Sequence, residues 1–233
     1  KEFEEALRTD PELASAHFNL GNVLRERGKY DEAIESYKKV EVLAPRYPDL
    51  VYEHAYTLFL KKQYPEALKM YEAAIRQTPN DDRLYVRAGM AADASGDTQA
   101  AIQYYQSASG LNASNTEAVF QLALVFERQK EYEKALDLFR QVAELDPKNA
   151  ETHYHKGVCF LAQDMVTDAI DEFQSTISLE PNHVDALIEL GKALADRLQF
   201  HEAIQHYNRV VKVAPQRIDV RVALGDAYYR QGL

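Results

Sequence analysis

The chain has 233 residues, of which 46% are hydrophobic and 27% are charged, and 37 acidic against 27 basic residues give a net charge of −10. This composition excludes disordered and fibrous proteins, and with no apolar run near the ~20 residues that cross a bilayer it predicts no direct membrane insertion. The negative charge also predicts that nucleic acid is not a partner. The single cysteine, Cys159, permits no internal disulfide, which slightly favours a cytoplasmic location and leaves the compartment unknown.

A period of 34 residues runs through the chain. Prolines mark it, with Ala113 at the one position skipped: Pro11, Pro45, Pro79, Pro147, Pro181 and Pro215. A column of small residues follows the same step: Gly21, Ala55, Gly89, Ala123, Gly157, Gly191 and Gly225. A second small column stands four residues before an aromatic column: Ala33, Ala67, Ala101, Ala135, Ala169 and Ala203, then Tyr37, Tyr71, Tyr105, Phe139, Phe173 and Tyr207. A fixed period of this length is typical of solenoid proteins.

Each period contains two amphipathic helices. His17, Gly21 and Leu24 have the i, i+4, i+7 spacing of one helical face, and Ala33 repeats it with Tyr37 and Val40. The elements predicted in chain order are a second helix in 1–13, helix pairs in 14–47, 48–81, 82–115, 116–149, 150–183 and 184–217, and a first helix in 218–233. Both ends fall inside a repeat, so we expect a longer parent chain. Neither helix buries its apolar stripe alone, so the pairs must stack.

This pattern resembles the tetratricopeptide repeat family, whose signature of small residue, aromatic residue, alanine, aromatic residue and proline recurs across nearly the whole chain. The one departure is the missing Trp near the start of the first helix. The resemblance implies an all-α fold, a right-handed superhelical solenoid of antiparallel helix pairs. It also implies that the first helices line a concave groove.

The sequence holds no complete catalytic or metal-binding pattern. His201 and His206 are five residues apart, so their rings point about 140° apart on a helix and cannot share a metal. Glu151 and His155 have a suitable i, i+4 spacing but lack further ligands in the sequence. Cys159 lies in a column of small residues and has no plausible partner base, so we interpret it as a buried small hydrophobe. The sequence predicts no enzyme activity, no metal and no cofactor.

The expected groove is lined by three columns of the first helices. The Phe18 column is apolar: Phe18, Tyr52, Val86, Phe120 and Tyr154, followed by Ile188 and Val222. The Asn22 column is apolar in its middle: Asn22, Tyr56, Met90, Leu124 and Val158. The Asn19 column is polar: Asn19, Glu53, Arg87, Gln121, His155 and Glu189. The Phe18 column could pack between helices or face a ligand, whereas a contiguous exposed strip from Tyr56 to Val158 favours a binding surface.

Family members that bind an acidic C-terminal tail use basic and Asn residues of three consecutive repeats. Asn22, Arg83 and Arg87 match parts of that set, but Phe18 and Glu53 stand where a Lys and an Asn are expected. This departure disfavours that function. Arg83 and Arg87 stay candidates to anchor one acidic group, or are solvated arginines paired with Asp49 or Asp82.

The sequence therefore predicts a noncatalytic protein-interaction scaffold that binds a peptide segment or amphipathic helix of another protein in its groove. One alternative is an architectural module that self-associates. Another is the recognition arm of a larger enzyme whose catalytic domain lies outside this sequence. An RNA-reading repeat is disfavoured because the groove columns are mainly apolar or acidic.

The junction between the third and fourth pairs carries weak local signals. Ser107, Ser109 and Gly110 have low helix propensity, and the stiffening proline is replaced by Ala113. We expect the array to open or bend first between Gly110 and Asn115.

Overall fold

A computed structural model describes residues 2–232. Within this range the chain forms fourteen α-helices and no strand: α1 (Glu2–Thr9), α2 (Ala14–Glu26), α3 (Tyr30–Leu43), α4 (Leu50–Leu60), α5 (Tyr64–Gln77), α6 (Asp82–Ala94), α7 (Thr98–Leu111), α8 (Thr116–Arg128), α9 (Tyr132–Leu145), α10 (Ala150–Ala162), α11 (Val166–Leu179), α12 (Val184–Asp196), α13 (Phe200–Val213) and α14 (Ile218–Arg230). The even-numbered helices are the first helices of the predicted pairs. None of the helices in this range is both long and apolar enough to cross a membrane.

Short turns join the two helices of each pair. Three residues separate α2 from α3, and the middle one, Gly28, has a φ of 74°. The equivalent residue of each later pair also has a φ between 62° and 90°: Lys62, Gly96, Lys130, Asp164 and Leu198. This left-handed conformation costs little only for glycine, so four of the six turns hold a residue under mild backbone strain.

The small and aromatic columns build the core of each pair. All six rings of the aromatic column are buried. A Cβ atom added to Gly21 would lie 2.6 Å from Cε1 of Tyr37, and one added to Gly157 would lie 2.5 Å from Cε1 of Phe173. Each ring therefore fills the space beside the small residue of its own pair, and the helices approach closely because that residue has no larger side chain. The rings of the aromatic column therefore pack inside their own repeat, and not only against the next repeat.

The chain divides into two compact units, one ending at Ala118 and the other beginning at Val119. In the first unit each helix packs mainly on the next, and the first helices α2, α4 and α6 also touch one another in sequence. In the second unit one continuous apolar core extends from Ala123 to Ala227. This packing of neighbours leaves one side of each first helix partly exposed.

Candidate functional site

Two arginines enclose a tyrosine on the first helices of the first unit. The guanidinium carbons of Arg25 and Arg87 lie 5.3 Å and 5.8 Å from the centroid of the Tyr56 ring. Nε of Arg87 donates a hydrogen bond of 2.8 Å to the Tyr52 hydroxyl, and the Tyr52 and Tyr56 rings are stacked at 6.5 Å. Cation–π contacts and hydrogen bonds therefore hold these partly exposed rings in place.

Carboxylates neutralise the three arginines of this surface. Arg25 pairs with Glu53 at 3.2 Å, Arg87 with Glu117 at 3.1 Å, and Arg83 with Asp81 at 2.9 Å. Burial raises the pKa of the Glu53 carboxyl, and the Arg25 charge partly opposes that rise.

The partners of Arg83 and Arg87 differ from the predicted Asp49 and Asp82. The reason for Arg83 is local, since Asp81 caps the start of α6 and accepts from the main-chain and side-chain nitrogens of Arg83. Because the Arg83 side chain is mostly exposed, this pair adds little stability.

The remaining predicted residues of the first unit have different environments. Phe18 contacts the Tyr47 ring at 4.8 Å, and the Tyr37 hydroxyl donates to the Asn22 side chain at 2.7 Å. Asn19 and Met90 are half-buried, and the Met90 sulfur accepts from Arg87 at 3.1 Å.

Val86 is a correction to the predicted surface. It is only 1% exposed and Ile188 of the same column only 3%, because neighbouring helices cover these shorter side chains, whereas the Tyr52, Phe120 and Tyr154 rings stay half-exposed. Val86 is therefore part of the core and is not available to a ligand.

The second unit has an aromatic and acidic surface. The half-buried residues Phe120, Gln121, Leu124, Tyr154, His155 and Val158 lie on its first helices. The His155 ring stacks on Phe139 at 5.6 Å and 13°, and its Nδ1 donates to Glu127 at 2.8 Å.

The Tyr154 ring lies 5.1 Å from the His155 ring and 4.9 Å from the His183 ring. Burial, and then the nearby carboxylates of Asp185 and Glu189, raise the pKa of the Tyr154 hydroxyl to about 12. This ring is therefore an uncharged aromatic surface at neutral pH.

The Phe18 column combines its two expected roles. Its aromatic members rest against the core ring of their own pair, with centroids 6.3 Å apart for Tyr52 and Tyr71 and 5.6 Å apart for Phe120 and Phe139. The same side chains stay half-exposed, so packing on one side orients them for contact on the other.

Ionisable groups elsewhere do not gather into a metal site within residues 2–232. Nε2 of His155 lies 3.9 Å from Glu151, and Nε2 of His183 lies 3.3 Å from the same carboxylate. Cys159 is buried beside Glu127, and burial raises the pKa of its thiol to about 12. This environment agrees with a packing role for Cys159.

Three residues of these surfaces were absent from the predicted set: Arg25, Glu117 and Glu127. Arg25 and Glu127 follow Asn22 and Leu124 by three residues, so helical spacing places them on the same face. Glu117 occupies the column of Arg83 and Glu151, one turn before the Asn19 column. Both spacings can be read from the sequence, so comparing the charged residues at these positions of each repeat would have identified Arg25, Glu117 and Glu127.

Models of the tetratricopeptide repeat match residues 14–47 and, in overlapping segments, 52–116, 86–150, 120–183 and 188–233. The Hsp70-Hsp90 organizing protein of Triticum aestivum is 29% identical over 85 residues, which are 36% of this chain and 14% of that protein. RNA polymerase II-associated protein 3 of Xenopus tropicalis is 32% identical over 119 residues, which are 51% of this chain and 18% of that protein.

The chain thus spans less than a fifth of either curated relative. A solved structure covers more: YrrB, a TPR protein described as having an unusual peptide-binding site, aligns with 80% of this chain and 96% of its own at 27% identity and a TM-score of 0.60. Because the repeat models match most of its length, the chain belongs to the tetratricopeptide repeat family, whose members are generally noncatalytic scaffolds that bind other proteins.

Proposed function

We propose that the chain is a noncatalytic scaffold that forms a single array over residues 1–233 with six full helix pairs. The first helices of these pairs bind a peptide segment or amphipathic helix of a partner protein. One observation carries this proposal. Large apolar side chains on consecutive first helices of each unit stay half-exposed, whereas the aromatic column of the second helices is fully buried. They are Tyr52, Tyr56 and Met90 in the first unit and Phe120, Leu124, Tyr154 and Val158 in the second.

A surface of this kind suits segment binding for two reasons. The apolar side chains supply area that a bound segment removes from water, at about 25 cal/mol per Å². The rotamers of Tyr52 and Tyr56 are already restricted by their stacking and by the Arg87–Tyr52 hydrogen bond, so less conformational entropy is lost on binding.

The polar residues beside the apolar side chains supply specificity. Arg87, Glu117, His155 and Glu127 are held in ion pairs or hydrogen bonds on the same helices. Such groups can bond the main chain of an extended segment or the polar edge of a helix. The description of YrrB as a protein with a peptide-binding site supports this use of the fold.

Three charged substitutions test the proposal. Tyr56→Asp, Met90→Asp and Leu124→Asp in one variant should abolish binding of peptides selected against the intact chain from a random display library. The reason is that a carboxylate buried against an apolar ligand is strongly unfavourable. Titration calorimetry measures the affinity, and circular dichroism should show nearly unchanged helix content.

A matched variant places the same three changes elsewhere. Leu145, Met165 and Leu198 are exposed apolar residues at the end of α9 and in two turns. Their change to Asp should leave peptide affinity unaltered. Equal loss in both variants, or unfolding of the first, would contradict the assignment of the surface.

An architectural role through self-association is a second candidate function, and the apolar residues of α14 are a place to test it. Ile218, Val222 and Tyr229 are 73%, 60% and 85% exposed. Gly225 on the same helix has no atom within 4 Å of an added Cβ, whereas Gly21, Gly89, Gly157 and Gly191 each meet a ring. An open site of this kind fits an aromatic side chain from another helix.

Sedimentation velocity separates this function from the first. If α14 drives assembly, the intact chain should sediment as larger species at high concentration, and Ile218→Ser with Val222→Ser should shift it to monomer. A monomer at every concentration excludes an architectural role for this face.

A further inference from the structure

Helix α4 starts later than the other first helices. It begins at Leu50, two residues past the position at which α2, α6 and α8 begin in their own periods. The residue at that position is Pro48, where the other pairs have Ala14, Asp82, Thr116, Ala150, Val184 and Ile218. Pro48 lies in a turn with Asp49, which has a φ of 57°, in the left-handed region. Part of the usual first turn of the helix is therefore missing.

A cavity of about 390 Å³ lies at this place. Its walls come from the turn before α4, the end of α5 and the start of α6, all in the first unit. The apolar lining includes Tyr47, Leu50, Val51, Tyr52 and Leu84. Leu50 and Leu84 are almost fully buried, so the floor is fixed by the core. Cavities of about 300–1,000 Å³ with such walls are typical of ligand sites.

The charged groups around the cavity balance one another. Arg83 lines it and is bound by Asp81 through Nε at 3.0 Å and through its second terminal nitrogen at 2.9 Å. Arg46 and Asp49 add one charge of each sign. The site therefore has no net charge to select an ionised group.

Tyr52 links the cavity to the proposed peptide surface. It lines the cavity, and its hydroxyl accepts the hydrogen bond from Arg87 while its ring stacks on Tyr56. Tyr52 therefore borders both the cavity and the surface formed by Tyr56 and Arg87.

We propose that this cavity receives one aromatic side chain, Trp or Phe, of the bound partner segment, an inference that rests on the proposed function. Two tyrosine walls favour an aromatic occupant through offset or edge contacts that an aliphatic side chain cannot make. Because the charges of Arg46, Asp49, Asp81 and Arg83 balance, the lining offers no net charge to a Lys or Glu anchor, whose desolvation would therefore go uncompensated. Trp is also one of the residues in which the energetic hot spots of protein interfaces are enriched.

The test uses amino-acid amides as probes, so it does not depend on finding the partner. N-acetyltryptophanamide is titrated into the intact chain, whose own sequence has no Trp, and binding is followed by ligand fluorescence and by methyl NMR. We expect saturable shifts at the methyl groups of Leu50, Val51 and Leu84. N-acetylleucinamide should bind at least about fivefold more weakly, as expected for loss of aromatic contacts.

Two variants and a control complete the design. Val51→Phe fills the cavity and should weaken N-acetyltryptophanamide binding at least about tenfold. Pro48→Ala should let α4 start earlier and weaken binding in the same direction. Val213→Phe, at the end of α13 and outside the cavity lining, should change nothing.

The outcomes separate this inference from the proposed function. Absence of saturable shifts, equal binding of the leucine amide, or unchanged affinity in both cavity variants overturns the aromatic site. Whether the Tyr56, Met90 and Leu124 variant loses peptide binding is a separate result. It tests the proposed function and does not depend on the outcome at the cavity. If Val51→Phe fails to fold, the wild-type shifts and Pro48→Ala decide the matter.

Discussion

Single contacts between a glycine and a ring decide how closely the two helices of a repeat approach. Four glycines in the first helices each face a buried Tyr or Phe ring of the second helix. Two other repeats have Ala55 and Ala123 in this column, so a methyl group fits only where the two helices of the pair are packed to leave room for it. The cost of adding one therefore measures how rigidly a given pair is packed.

A glycine substitution tests this packing. Gly157→Ala places a Cβ 2.5 Å from Cε1 of Phe173, whose ring is fully buried and cannot move aside. We expect a loss of about 1–2 kcal/mol in the free energy of unfolding, which urea denaturation measures.

Gly110→Ala is the matched control. Gly110 also lies inside a helix, but nothing is within 4 Å of its added Cβ. Here alanine should stabilise by about 0.5–1 kcal/mol, because only the helix propensity changes. The same sign of effect at both positions would refute the close-contact explanation.

Individual surface residues were harder to predict than the columns that contain them. The period places Val86 in one column with Tyr52 and Phe120, yet exposure depends on side-chain length and on the helices packed around each position, so Val86 is buried while Val222 on α14 is 60% exposed. The contact of Arg25 with Tyr56 joins two repeats. Such contacts depend on the distance between helices, which cannot be read from the residue pattern of one helix.

At the scale of helices, the period predicted the alternation of first and second helices. The late start of α4 could not be predicted, because proline is well tolerated at the first position of a helix. Pro65 shows this directly, since it lies within the first turn of α5. Whether the helix begins at Pro48 depends on its neighbours, Asp49 and Tyr47, and the Tyr47 ring packs on Phe18.

Helix α7 shows how propensity and final structure differ. It extends to Leu111 and has the same length as α5 and α9, although Ser107, Ser109 and Gly110 lie in its last turns. Asn112 and Asn115 both donate to Asp82, at 2.9 Å and 2.6 Å, and so tie the following turn to α6. The low helix propensity therefore does not shorten α7, and we expect it to lower only the local stability of the last turns.

Amide hydrogen exchange measures that local stability. Amides of residues 107–115 should exchange sooner than those of 140–149 and 174–183, the matching segments of later pairs, because serine and glycine lower the cost of opening the last turn. Equal or slower exchange in 107–115 would show that the Asp82 contacts compensate for the sequence.

At the scale of the whole molecule, stability should be a sum of local terms. In a solenoid each repeat contacts only its neighbours, so a defect is felt nearby and fades along the chain. Ala135, fully buried in α9, offers a test within the second unit.

Ala135→Leu should lower the free energy of unfolding by about 1–3 kcal/mol, since the larger side chain separates two packed helices. Hydrogen exchange should accelerate in α9 and its neighbour α10, and stay unchanged in α13 and α14. Ala162→Leu, at an exposed position of α10, is the control and should be near neutral. Uniform acceleration over the whole second unit would show that it unfolds as a single cooperative body.

The glycine–ring contact also has a consequence for how the protein folds. Gly21 and Tyr37 are sixteen positions apart, and Gly157 and Phe173 have the same separation, so the tightest core contact of a repeat closes a short loop. Chains whose native contacts are local fold rapidly, because little loop entropy is lost before contacts form. Each helix pair is thus able to collapse early around its own ring, and growth can begin at any well-packed repeat and proceed in both directions.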